Sequence, residues 1–157
     1  MMSNVGFPDG LGISREEISE RFEKQSPSEY DNCLIVIRKS DSLRIGECWL
    51  GVPDSNGVSN TDVKLFPEYW NKGYGKEIKR GLVDYLFTNR SDCLAVKADP
   101  KKSNIASQKM QEHVGAKRIE KGAEYPIKYI ENYFPPEENL LYMVFRDDWY
   151  KNKGKQE

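Results

Sequence analysis

Leu65–Glu77 reads LFPEYWNKGYGKE: the end of a strand, a turn with two glycines one residue apart, and the first turn of an amphipathic helix. The helix is predicted over about Tyr74–Asn89. Ile78, Leu82, Tyr85 and Leu86 recur there at spacings of four, three and one, an apolar stripe that lies on a sheet. The unpaired N–H groups of a helix start converge on one point, and the macrodipole adds roughly half a positive charge. An anion fits such a turn, and Gly73 and Gly75, lacking Cβ, let a phosphate approach the backbone.

Two familiar phosphate motifs do not fit. A dinucleotide fingerprint needs a third glycine where Ile78 stands, and a P-loop needs glycine at Trp70 and Ser or Thr at Glu77. By itself the segment leaves two readings open, an anion cradle and a strand-to-helix turn that binds nothing.

Upstream, Val58–Phe66 predicts the strand that feeds the turn, with Thr61, Val63 and Leu65 on one face and Asp62 and Lys64 on the other. PDSNG at 53–57 is the turn before it. Cys33–Arg38 and Leu43–Val52, joined by KSDS, predict an antiparallel hairpin. Residues 1–13 read as loop; Ser14 and Glu17 then form a capping box that opens a short helix, with Ile18 and Phe22 one turn apart. Downstream, Leu94–Lys97 predicts a short buried strand, so strand, helix and strand make a right-handed crossover. Asn104 or Ser103 caps a second helix, IASQKMQEHV, which Gly115 stops. Lys117–Glu124 and Leu140–Arg146 predict two more strands. Between them YPIKYIENYFPPEE reads either as a surface loop packed by its own side chains or as a wall of a substrate cleft. Residues 151–157 read as a frayed polar tail.

A chain of 157 residues is expected to form one domain, 1–157. Charged residues make up 31% with a net charge of −1, which argues against a nucleic-acid partner. Apolar runs such as CLIVI at 33–37 fall far short of the about 20 residues of a membrane span. MMSNVGFPDG lacks the order of a signal peptide, so a cytoplasmic location is expected. Cys33, Cys48 and Cys93 lie apart in strand-like runs, as buried reduced thiols do. With a single histidine, His113, in a helical segment, neither a Cys–His nucleophile nor a metal site is expected.

From Asp62 to Gly115 the chain resembles the GNAT N-acetyltransferases. Leu65-Phe66-Pro67 matches the family's apolar-x-Pro strand end. Trp70-Asn71-Lys72-Gly73-Tyr74-Gly75 matches its pyrophosphate loop Q/R-x-x-G-x-G/A, with Trp70 in place of Gln or Arg. About 30 residues later Asn104-Ile105-Ala106-Ser107, closing with Gly115-Ala116, matches its Asn-x-x-Ser helix; the run ADPKKSNIASQKMQEHVGAKR is the more specific part. PEYWNKGYGKE with FRDDW at 145–149 looks most like the ribosomal-protein N-terminal acetyltransferase branch, and DP-x-x-SN is similar to aminoglycoside 6′-acetyltransferases. The tyrosine that protonates the leaving thiolate in some members falls at Gln111, which cannot act as an acid. Members of this branch open with a strand and a helix before a segment like GFPDGLGISREEISE, where this chain begins.

The resemblance implies an α/β (α+β) GNAT fold: a mixed sheet of about six strands, splayed at the acetyl-CoA strand, lacking the family's first strand and carrying helices on both faces. The free edge left at Cys33–Arg38 suggests a homodimer. It implies acetyl-CoA as donor, its pyrophosphate held by backbone N–H groups from Asn71 through Lys72, Gly73, Tyr74 and Gly75 to Lys76, its pantetheine arm paired with Val63 and Leu65 beside Phe66, and Asn104 and Ser107 on the same arm. The acceptor is a primary amine, a peptide N-terminus or a small molecule. At pH 7 a lysine-like amine costs about 4.6 kcal/mol to deprotonate and an α-amine about 1 kcal/mol, so the acceptor sets the strength of base required. Asp62 and Glu47 are candidate bases, and Tyr125 and Tyr142 candidate acids. Each has an equally ordinary reading as a paired or packed sheet residue. The scattered cysteines favour direct attack over an acetyl-cysteine intermediate. Two alternatives stay open: an aminoglycoside-modifying enzyme using Glu131, Glu137 and Glu138, and a CoA-binding module without turnover.

Overall fold

A computed structural model of the chain describes residues 14–24, 28 and 30–153; the loop expected over 1–13 lies outside them. Helix α1 (Arg15–Glu23) opens with the expected capping box, Ser14 Oγ accepting from the Glu17 N–H at 3.1 Å and Glu17 Oε2 accepting from the Ser14 N–H at 2.8 Å. Strands β1 (Cys33–Arg38), β2 (Leu43–Leu50), β3 (Val58–Leu65), β4 (Ala95–Ala98), β5 (Lys117–Arg118) and β6 (Tyr142–Phe145) form one six-stranded open sheet in the order β1-β2-β3-β4-β6-β5. Every neighbouring pair is antiparallel except β3 and β4, which run parallel because helix α2 (Tyr74–Asn89) returns the chain between them. Among the described residues no strand precedes β1.

Strand alternation sorts side chains onto two faces. On one, Cys48 and Leu50 of β2, Val96 of β4 and Val144 of β6 pack against Leu82, Val83, Leu86 and Phe87 of α2, with Val114 at the end of helix α3 (Ile105–His113) and Trp149 of helix α4 (Arg146–Lys153). Each such fully buried apolar side chain contributes roughly 1.5–3 kcal/mol of transfer free energy. The other face is covered at the β4–β6 end by the loop after β5. There Ile119 and Ile127, with Tyr125, Ile130, Tyr133 and Phe134, pack on Val58, Ala95, Met143 and Phe145. At this end the cover is a loop with one 3₁₀ turn, Ile130–Tyr133. The aromatic segment is therefore packed into the fold by its own side chains.

Several boundaries differ from the sequence expectation, most of them by one or two residues at a strand end, and three differences have a visible cause. The strand expected over Lys117–Glu124 stops at Arg118: the Ile119 N–H still reaches the Leu141 carbonyl at 2.9 Å, but Gly122, at φ +83°, turns the chain away. The last strand ends at Phe145 because Arg146 starts α4, its guanidinium donating to the Arg90 and Cys93 carbonyls at 2.9 and 3.0 Å. Residues 151–153, expected within a frayed tail, complete α4. Its Trp149 indole N–H and Lys153 Nζ both donate to Asp84 of α2, at 3.3 and 2.7 Å.

Candidate active site

The β3–α2 turn keeps its backbone donors free. After β3 a 3₁₀ turn, Pro67–Tyr69, is followed by Asn71 at φ +58° and Gly73 at φ +87°, so two residues within three take the left-handed conformation. Gly73 caps α2 with no side-chain hydrogen bond. Its carbonyl accepts from the N–H groups of Lys76 and Glu77 at 3.1 and 3.2 Å, so the Lys76 N–H of the expected backbone set already has a partner within the turn. The N–H groups of Asn71, Lys72, Gly73, Tyr74 and Gly75 have no hydrogen-bond partner among the described residues. A Cβ on Gly75 would meet Met110 Sδ of α3 at 3.3 Å, so the second glycine lets α3 close against the turn.

Trp70, where relatives carry Gln or Arg, has a structural role that the motif comparison missed. Its indole N–H donates to the Leu65 carbonyl at 2.8 Å and ties the loop back to the strand. Arg38, at the far end of β1, was also missed. It pairs with Asp41, donates to Tyr74 Oη at 3.3 Å and lies over the Tyr69 ring at 5.3 Å. Its guanidinium is held above its ordinary value by those two hydrogen bonds. Lys72 Nζ sits over the same ring at 5.7 Å. The hairpin thus brings Arg38 beside Tyr74, 36 residues further along the chain, a proximity no local pattern contains.

Strands β3 and β4 pair only through Val58, Ser59 and Asn60 with Ala95, Val96 and Lys97. Beyond Asn60 the remaining residues of β3, Thr61–Leu65, stay paired to β2 and to no second strand, so the sheet opens where Val63 and Leu65 were expected to meet an extended amide chain; on that open edge Asp62 Oδ1 accepts the Val63 N–H at 2.9 Å and the Leu65 carbonyl accepts the Trp70 indole N–H. Phe66 is exposed at the end of this edge, its N–H bonded to the Ile45 carbonyl at 3.0 Å. At the start of α3, Asn104 Oδ1 accepts from the Ser107 N–H at 3.1 Å, while the Asn104 amide nitrogen donates to none of the described residues.

The two candidate bases meet on the sheet face away from α2. Glu47 pairs across strands with Lys64, and Asp62 lies two residues before Lys64 on that face. Lys64 Nζ bridges Glu47 Oε1 at 3.1 Å and Asp62 Oδ2 at 3.3 Å. With Cys33, Cys48 and Trp49 these groups line a recess of about 190 Å³. Burial lowers the Lys64 ammonium, but Asp62 and Glu47 outweigh it and hold the group above its ordinary value. The Cys33 thiol donates to Glu47 Oε2 at 3.4 Å and is pushed up to about 11 by burial and then by Glu47; burial likewise takes Cys93 to about 11. Neither is a ready thiolate near neutral pH.

The candidate acids lie elsewhere. Tyr142 shares the helix-covered face with Val144, and its hydroxyl donates to Glu112 Oε1 of α3 at 3.2 Å; burial and that carboxylate raise it above the ordinary phenol range. The sheet separates it from Glu47 and Asp62. Tyr125 accepts the Glu120 N–H at 2.9 Å and stacks on Phe145 at 6.1 Å, a packing role in the loop. Glu131, Glu137, Glu138 and His113 are exposed. Among the described residues no group of three or more His, Cys, Asp or Glu is placed to hold a metal ion, and no helix is long and apolar enough to cross a membrane.

A glycine turn with free donors at the start of a sheet-packed helix, a parallel strand pair that opens beyond its third residue pair, and an asparagine that caps the helix after the second of those strands fit a class of acyltransferases that grip a nucleotide-bearing thioester. Residues 2–117 match the family model described as "Acetyltransferase (GNAT) domain", and the chain belongs to that family. It is an N-acetyltransferase, with acetyl-CoA as donor. Its fold is similar to that of the acetyltransferase (GNAT family) from Bacillus anthracis, with TM-score 0.67, 17% identity, and 93% of this chain and 81% of that one covered. It is likewise similar to the spermidine N-acetyltransferase from Vibrio cholerae in complex with CoA and spermine (0.66, 15%, 88% and 79%). An aminoglycoside acetyltransferase in complex with coenzyme A aligns at TM-score 0.53 and 19% identity, over 72% and 66%. No match is found among curated protein sequences.

Proposed function

We propose that this enzyme acetylates a cationic primary amine, a polyamine-like small molecule or a peptide N-terminus, by direct attack in a ternary complex in the cytoplasm. The observation that carries this reading is the Lys64 ammonium seated between Glu47 and Asp62 on the open sheet face, beside the stretch of β3 that leaves β4. The pair already binds a primary ammonium, and an acceptor that displaces Lys64 meets two carboxylates able to take its protons. The pyrophosphate falls to the free N–H groups of Asn71–Gly75, the pantetheine arm to Val63 and Leu65, and the Asn104 amide nitrogen and Ser107 border that arm. The high Cys33 and Cys93 thiols support direct attack.

Thiol release from acetyl-CoA with a panel of spermidine, aminoglycosides and N-terminal peptides tests this reading. Spermidine and peptides are expected to support turnover, with kcat falling about 10²-fold in Glu47→Gln or Asp62→Asn. Saturable CoA binding with no amine-dependent thiol in any arm would leave a CoA-binding module instead. The aminoglycoside reading gains from the fold likeness to such an enzyme, whereas the ribosomal-protein reading rests on PEYWNKGYGKE and FRDDW alone. We also propose that the free edge of β1, with Ile35 and Ile37 49% and 55% exposed, pairs with a second copy of the chain.

A further inference from the structure

The acetyl-transfer reading makes no use of the most deeply buried charged side chain of the molecule's core. Lys79 lies on the sheet-facing side of α2 and is 1% exposed. Among the described residues its Nζ has one hydrogen-bond partner, Thr61 Oγ1, and Asp62 is the one charged group whose field it feels. Burying an ammonium beside leucines and a phenylalanine is costly, and an apolar side chain of similar length would pack there without that penalty. Burial draws the group down to about 8, so it still carries its proton through most of the neutral range.

Thr61 is the first residue of β3 beyond the last pair with β4, at the vertex of the opening. A protonated lysine only donates, so Thr61 Oγ1 is the acceptor in this bond and its own proton must point elsewhere. That proton finds no acceptor among the described residues, although Thr61 is buried. From Leu65 back to Thr61 the edge that β4 leaves unpaired runs roughly 13 Å, comparable to the extended two-amide arm between the pyrophosphate and the sulfur of CoA. A chain anchored at Asn71–Gly75 and laid along this edge brings its sulfur to the vertex.

We propose that the Thr61 hydroxyl, oriented and polarised by Lys79, donates a hydrogen bond to the leaving sulfur of acetyl-CoA. As the neutral acceptor amine adds to the thioester carbonyl carbon, the C–S bond breaks and its electron pair passes to sulfur. The amine's surplus proton leaves through the carboxylate face to water, and the thiolate, stabilised by the Thr61 O–H, is protonated by solvent on release. No proton leaves Thr61 for good. Lys79 is a positioning residue, acting through Thr61, and the field of its charge favours the anionic sulfur.

The test compares CoA with desulfo-CoA by calorimetry at pH 7, where Lys79 keeps its proton, so it needs no knowledge of the acceptor. Wild type is expected to prefer CoA about tenfold. Lys79→Met and Thr61→Val are expected to erase the preference while binding desulfo-CoA within threefold of wild type, and Thr61→Ser to keep it. With an active amine, kcat should fall in Lys79→Met with little change in KM for acetyl-CoA, and Thr61→Ser should retain it. Should Thr61→Val fold poorly because it strands the ammonium, the double variant T61V/K79M removes both groups and must lack the preference. A preference unchanged in Lys79→Met and in the double variant overturns this inference alone. Failure of wild type to bind either ligand overturns the donor site as well.

Discussion

At Gly73 one backbone torsion shapes the turn proposed to hold the pyrophosphate. At φ +87° this glycine holds a conformation that L side chains rarely adopt, yet a Cβ built there touches nothing within 4 Å. The obstacle to substitution is the torsion, worth about 1–2 kcal/mol for a non-glycine residue, together with a side chain lying over the free donors. Gly73→Val is therefore expected to weaken acetyl-CoA binding at least tenfold in a calorimetric titration while the far-ultraviolet spectrum stays that of wild type. Retained affinity would place the phosphates elsewhere. At Lys64 the lesson concerns what periodicity leaves out: alternation put Asp62 and Lys64 on one face of a strand, and only the register of β2 against β3 set Glu47 opposite Lys64.

Among the elements, the turn before β3 is tied to the aromatic loop by one carboxylate. Asp54 accepts the N–H groups of Asn56 and Val58 at 2.8 and 3.0 Å and the Tyr133 hydroxyl at 2.6 Å, and Tyr133 in turn accepts from Asn56 Nδ2 at 2.9 Å. Burial would raise the Asp54 carboxyl, but these hydrogen bonds outweigh it and hold the group below the usual range. A depressed folded value means stabilisation fully present above the unfolded carboxylate range, near pH 4, and lost as pH falls through the folded value. Asp54→Asn should thus lower the melting temperature at pH 7 and shrink its drop between pH 5 and pH 3; an unchanged acid profile would show that the tie does not couple to folding. Helix α4 illustrates the opposite case. RDDWYKNK carries little helical periodicity, and what makes it a helix is Trp149, buried against Phe87 with ring centroids 6.2 Å apart.

For the whole molecule, the sheet ends at β1 with an edge that nothing among the described residues pairs or covers. Light scattering across concentrations is expected to report twice the chain mass, and Ile35→Lys, placing a charge on that outer strand, should return the monomer; a monomer at every concentration removes the dimer. The long elements and the glycine turn before α2 were legible in the sequence because they rest on local causes: a 3.6-residue stripe from Ile78 to Leu86, alternation along Val58–Leu65, a Ser14–Glu17 capping box and two glycines before a helix. Read together with Pro67 and the run from Asn104 to Gly115, they also pointed to the family and its acetyl donor. The ammonium seat made by Glu47, Asp62 and Lys64, the Arg38 beside the turn, the Trp70 tie and the buried Lys79 on Thr61 were decided by tertiary structure alone. Each depends on which strand lies against which, in what register, and on how the face of α2 that carries Lys79 is buried against the sheet. Propensity and periodicity are properties of neighbours along the chain, whereas desolvation and pairing of charge belong to neighbours in space.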